Sequence, residues 1–258
     1  PEAIDVQAFM PGARFGETLI AGQRYLTLGG EGYVFDDLVG APNLPVLRRM
    51  IEVPLGAEVS LQLLQAETQT VSLSRLGMEG TIAPVQPSQP KCGDPVEPCA
   101  PSAQLYGGGF YPAEYLSISE DYIIRGHRIV VVEIRPVRYN AALGELETTS
   151  EMTFRLNLEG SDMALTLSEA DRLNSQPFNE MLQGDVLNYN QGRPVAIPND
   201  SQHLLIITAD IYEAGLANFV SLKQSQGFTV SVANLTTAGG NTTTAIKTYI
   251  KAQYNGAN

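Results

Sequence analysis

The chain has 258 residues, 43% of them hydrophobic, and a formal charge of −12 at neutral pH. That length has room for one large domain or two ordinary ones with real cores. The negative charge repels nucleic acid and anionic lipid, and the longest apolar runs, IVVV at 129–132 and LLII at 204–207, fall far below the roughly 18 residues a spanning helix needs, so neither nucleic acid nor a membrane is an expected partner.

No basic leader with an apolar segment precedes Pro1, which suits either a cytosolic protein or one whose signal peptide has been removed. The charge is uneven. Residues 1–200 hold 26 acidic against 13 basic side chains, a balance of −13, while residues 201–258 hold 2 against 3, a balance of +1.

From about residue 17 to 160 the pattern is that of strands. In EMTFRLNL (151–158) Met152, Phe154, Leu156 and Leu158 alternate with polar residues, so one face is buried and the other wet. EVSLQLLQ (58–65) and TVSLSRL (70–76) repeat the alternation, and RRMIEVPLG (48–56) ends in turn punctuation. This predicts an all-β, antiparallel, sandwich-like domain over residues 1–200.

A long insertion, 81–112, interrupts it with seven prolines and a triple glycine at 107–109. Such a stretch is no central strand, and a loop of that length is functional or mobile. Within it Cys92 and Cys99 flank GDPVEP, a placement that favours a disulfide-closed loop, with two free thiols as the alternative. A zinc site lacks its second half, because the only histidines are His127 and His203; no metal site is expected. A loop disulfide points to an oxidising compartment, hence a secreted, periplasmic or cell-surface protein. His127, in RGHRIV, is expected at a solvent-exposed turn.

Short helical turns follow over 168–190, with Ser168 as a cap, and a Pro- and Asn-rich connector runs over 193–200. From Gln202 the period changes. HLLIIT is a continuous apolar run suited to a parallel strand covered on both faces. Asp210, with Glu213 three residues on, can cap a helix that Gly227 ends; FTVSVANL is a second strand, and Thr242 or Thr243 can cap a second helix. The order over 201–258 is βαβα. Two parallel strands with two helices leave edges and a flank open, so other polypeptide must complete the sheet.

Several segments together resemble gingipain-type cysteine peptidases, relatives of caspases and legumain. LPVLRRMIEVPLGAEV (44–59), IIRGHRIVVVEIRPVRYNAALGELE (123–147) and FNEMLQGDVLN (178–188) resemble the propeptide. The run 203–235 and TAIKTYIKAQY (244–254) resemble the first βα units of the peptidase domain. RPVRYN, with an Arg-Gly turn before it, is the most specific of these.

The resemblance implies an inhibitory, fold-assisting prodomain followed by the start of a cysteine endopeptidase domain. The catalytic His and Cys dyad is then expected in downstream polypeptide, the main partner beside peptide substrates, with no catalytic residue in this chain. The one cofactor it implies is calcium. It also implies a basic side chain laid into the specificity pocket, for which Lys91, Arg125 and Arg138 are the candidates. Lys91 leads, being the only lysine among the first 222 residues and adjoining the cysteine loop. YNGAN at the end raises Asn258 as a processing site for a legumain-like cleavage. The competing expectation is an extracellular β-sandwich binding module fused to a non-catalytic α/β domain; a His and then a Cys downstream, each after a buried strand, separates the two.

Overall fold

The computed structural model describes residues 2–173, 176–189 and 203–256. The chain divides into two compact units, Pro1–Ile197 and Pro198–Asn258.

The first unit is a sandwich of two antiparallel sheets. One sheet runs β1 (Ala3–Phe9), β10 (Glu145–Glu159), β6 (Glu58–Ser72), with β9 (Val137–Asn140) beside the start of β10. β10 is flanked on one side by β6 along its whole length, and on the other first by β9 and then, past a bulge near Thr149, by β1. The second sheet runs β4 (Val34–Phe35), β5 (Pro45–Val53), β8 (His127–Ile134), β7 (Leu116–Ile124). A hairpin of β2 (Arg14–Ile20) and β3 (Gln23–Gly29) stands apart as its own two-stranded sheet.

The alternation in β10 does what its pattern dictates: Met152, Phe154, Leu156 and Leu158 are buried and pack against Leu47, Ile51, Val130, Val132 and Ile134 of the facing sheet. Each such side chain contributes about 1.5–3 kcal/mol by leaving water. The two stretches read as separate strands at 58–65 and 70–76 are one strand up to Ser72, with Ser74–Leu76 a short 3-10 turn.

β8 is buried on both faces, because α3 (Gln176–Asp185) covers its outer side, where Ile129 meets Leu182, Val186 and Tyr189. α2 (Met163–Arg172) begins earlier than expected. Asp162 caps it by accepting the Leu165 N–H, while Ser168 lies mid-helix and donates to Leu165 O. Buried Thr166 accepts the Leu55 N–H at 2.9 Å, tying this helix to the turn after β5.

His127 is a further correction: it is 5% exposed, with Nδ1 2.8 Å from Glu52 Oε1 and its ring against Tyr189. Asn188 accepts the Glu52 N–H and donates to Glu52 O, both at 2.8 Å, and Leu187 N–H donates to Met50 O. The segment after α3 is thereby fixed along the β5 edge.

The second unit carries the expected βαβα order. β11 (His203–Thr208) pairs in parallel with β12 (Thr229–Asn234). A 3-10 turn, Asp210–Leu216, leads into α4 (Ala217–Ser225), and α5 (Thr243–Gly256) follows β12. Thr242 caps α5 by accepting the Ala245 N–H. Asp210 does not cap: its carboxylate accepts from the Thr236 N–H and hydroxyl, and Asn234 donates to Glu213, so the two acidic residues join the loops that follow the two strands.

Candidate functional site

The start of the proline-rich insertion belongs to the core. Ile82, Ala83 and Val85 are buried, and residues 81–85 hydrogen-bond to Leu26 on one side and to Ala41 and Asn43 on the other. The projecting loop is therefore residues 86–101, and Gly40 grips both of its ends. Its N–H donates to Val85 O and its carbonyl accepts the Ser102 N–H, each at 2.9 Å. Gly40 has φ of 84°, in the left-handed region, and a Cβ there would meet Cys99 Sγ at 3.5 Å.

Two glutamines close the loop above that base. Gln86 Nε2 donates to Cys99 O at 2.9 Å while its Oε1 accepts the Cys99 N–H at 3.0 Å. Gln89 repeats the pattern on Val96, donating at 3.1 Å and accepting at 2.9 Å. The physical reason lies in the sequence. Pro84, Pro87 and Pro90 have no N–H, so this arm offers few backbone donors, whereas a side-chain amide carries the same donor and acceptor pair as a peptide group. The result is a hairpin-like loop with its tip at Lys91, Cys92, Gly93 and Asp94, all exposed.

Lys91 makes no salt bridge among the described residues. Cys92 and Cys99 are free thiols, Cys92 exposed and Cys99 half-buried with Sγ donating to Ala100 O, so the loop is closed here by the glutamine amides and the expected disulfide is not formed. The short α1 (Ala103–Tyr106) leads out, and Tyr106 donates to Ile82 O; burial pushes its phenol pKa well up.

The other two candidate cations are occupied. Arg138 pairs with Glu147 at 2.9 Å, donates to Pro112 O and Tyr115 Oη, and stacks on the rings of Phe110 and Tyr115. Burial opposes its charge, and the hydrogen bonds to Tyr115 and Glu147 outweigh that, holding its pKa above the usual value. Arg125, at φ of 48° in the Arg-Gly turn before β8, donates to Leu173 O at the end of α2 and lies over Phe178. Gly126, next in that turn, meets the helix backbone so closely that a Cβ would sit 2.5 Å from Glu169 O. Both arginines make contacts internal to the first unit.

His203 is exposed and bonds Ser231 Oγ. Asn258 lies outside the described residues. Among the described residues no group of three or more His, Cys, Asp or Glu side chains is placed to hold a metal ion, so calcium finds no such donor set there. No helix among them is long and apolar enough to cross a membrane. The glutamine pair escaped the sequence reading because its partners are backbone groups 7 and 13 residues away; a Gln-x-x-Gln arm between prolines was the only signal.

The fold is thus an antiparallel β-sandwich that projects a closed loop, followed in the chain by the first two βα units of a parallel α/β sheet. Residues 29–193 match the Propeptide_C25 family model and residues 197–258 match Peptidase family C25. The chain belongs to this gingipain-type peptidase family, as a propeptide with the beginning of the catalytic domain. It is 28% identical over 221 residues to a Lys-gingipain of Porphyromonas gingivalis, covering 84% of this chain and 13% of that protein. It is 23% identical over 221 residues to a gingipain R1 of the same species, covering 83% of this chain and 21% of that protein. The chain thus spans about an eighth of the length of the Lys-gingipain it matches.

Among solved structures it resembles one described as giving insight into the zymogenic latency of gingipain K, with a TM-score of 0.55 and 25% identity over 62% of this chain and 88% of that one. A complex of the pro- and mature domains of Porphyromonas gingivalis RgpB shares the fold, with a TM-score of 0.58 and 19% identity over 73% of this chain and 92% of that one.

Proposed function

We propose that residues 1–200 are the inhibitory and fold-assisting prodomain of an exported cysteine endopeptidase, and that residues 201–258 begin its catalytic domain. Downstream polypeptide completes the sheet of that domain and carries its His and Cys dyad. The prodomain keeps the enzyme latent by occlusion: its loop fills the cleft until proteolysis releases it. Its charge of −13 over residues 1–200 favours docking on a more basic enzyme surface and makes the contact sensitive to salt.

The observation that carries this reading is Lys91. It stands exposed at the tip of a closed loop inside the segment matched by the propeptide family, while Arg125 and Arg138 are engaged in internal contacts. The Lys-gingipains among its relatives are 27–28% identical and the R gingipains 23–24%, which supports a pocket that takes lysine.

The test is activity of the full-length precursor on a lysyl peptide substrate. Lys91→Ala is expected to abolish latency, giving a precursor that cleaves substrate before processing. A Lys91→Ala precursor as silent as the parent rules this reading out.

A further inference from the structure

A lysine laid into the cleft of an enzyme that cleaves after lysine is also a substrate. The loop must therefore contain something that stops the Lys91–Cys92 bond from being consumed. We infer that Gln86 and Gln89 are positioning residues that hold both flanks of Lys91 in place and turn a cleavable segment into an inhibitor. This rests on the reading of Lys91 given above.

The geometry is specific to that task. Gln86 and Gln89 lie on the arm before Lys91, and their partners Val96 and Cys99 lie on the arm after it. Each amide makes one donated and one accepted bond across the loop, and below them Gly40 binds Val85 O and the Ser102 N–H. Every one of these contacts joins the two sides of the Lys91–Cys92 bond without passing through it. The tip they enclose has no buried residue, so the clamp is what fixes its shape.

The chemistry follows from holding the leaving group. A peptidase thiolate attacks the Lys91 carbonyl carbon; the C–N bond breaks, the Lys91 acyl group joins the sulfur, and the Cys92 nitrogen leaves as an amine after taking a proton. In an ordinary peptide that amine diffuses away and water hydrolyses the thioester. Here the arm after the cut stays tied to the arm before it, so the amine remains beside the thioester and attacks it; the C–S bond breaks, the amine's extra proton returns to the imidazole of the dyad, and the peptide bond and the free thiolate are restored. Preorganisation of the tip also removes the ordering cost of binding. The prodomain is then a slow, religating substrate of its own enzyme.

Four full-length precursors test this: the parent, Q86A/Q89A, K91A, and the triple variant. Mass spectrometry follows scission after Lys91, and hydrogen exchange follows the Val96 and Cys99 amides, with Val130 and Val132 in the sandwich core as the folding reference. In Q86A/Q89A the Val96 and Cys99 amides are expected to lose protection while the core keeps it. Scission after Lys91 is expected to rise at least about tenfold, with latency lost over the same interval. The triple variant is expected to show no scission at that bond. Gln89→Ala alone, which alters only the outer, exposed rung, is expected to shift scission in the same direction and replaces the double variant should core protection fall.

A clamp-free loop that stays as intact as the parent's, in a precursor that K91A activates, overturns the clamp and leaves the Lys91 reading standing. Latency that survives K91A overturns both.

Discussion

β8 and β11 begin with the same residue and carry the same kind of sequence, HRIVVVEI and HLLIIT, yet seven of eight residues are buried in the first and none in the second. The difference is in what covers them. β8 has a facing sheet on one side and the helix Gln176–Asp185 on the other, with Met152, Phe154 and Leu156 supplied from β10. Among the described residues β11 has one partner strand, and in the same unit Ile211, Tyr212, Phe219, Leu222, Ile250 and Tyr254 are all exposed by 44% or more. An apolar run specifies that a strand is to be enclosed, and the enclosing surface has to come from elsewhere in the polypeptide. In the sandwich it lies within the chain. For the βαβα unit we assign it to the downstream catalytic domain.

That contrast can be broken most sharply by paired truncations. Phe154→Ala, at a fully buried site, is expected to cost about 3–5 kcal/mol in urea unfolding of the first unit. Ile211→Ala, at 80% exposure, is expected to stay within about 0.5 kcal/mol in this chain. In the full-length precursor the second value should rise to that of a buried isoleucine; equal small values in both would refute the assignment.

An intermediate effect is expected where the segment after α3 is pinned to the β5 edge. Asn188→Ala leaves the Glu52 N–H and carbonyl without their side-chain partner and is expected to cost about 1–3 kcal/mol. Hydrogen exchange should localise the loss to Glu52 and Leu187 and leave β10 unaffected.

The smallest effect is a pH dependence. The hydrogen bond from Arg128 holds the Asp121 carboxyl below its usual value, against the opposing effect of burial. A carboxylate whose pKa is depressed by folding adds stability above its unfolded pKa of about 4, and that stability fades as pH falls through the lower folded value. Asp121→Asn is therefore expected to flatten the fall in Tm between about pH 5 and pH 2. The carboxylate is 43% exposed, so solvent screening keeps the change small.

Much of the architecture was legible because it is local. The alternation of Met152, Phe154, Leu156 and Leu158, and the switch to a continuous run at His203, each follow from a few consecutive residues. What escaped depends on partners far away in sequence. His127 looked exposed beside two arginines, but Glu52, 75 residues earlier, takes it into the interior. Ile82 and Val85 sat among prolines and looked like loop, although the bonds of Thr81 and Ala83 to Leu26 and of Val85 to Ala41 make this stretch part of the core. Asp210 had the spacing of a cap and instead binds Thr236, because the preceding strand delivers it to the neighbouring loop.

The same limit applied at the site. Composition singled out Lys91, but only three-dimensional contacts separate it from Arg125 and Arg138, whose guanidinium groups are tied to Leu173 O and to Glu147. The cysteine pair suggested a covalent staple, and the amides of Gln86 and Gln89 hold the loop instead.

Lys91 is the only lysine in the first 222 residues, so its reactivity toward an acylating reagent can be read from a single peptide. Occupation of the cleft predicts that Lys91 is acylated at least about tenfold more slowly in the full-length precursor than in the 258-residue chain, where it is exposed. Equal rates in the two would contradict it.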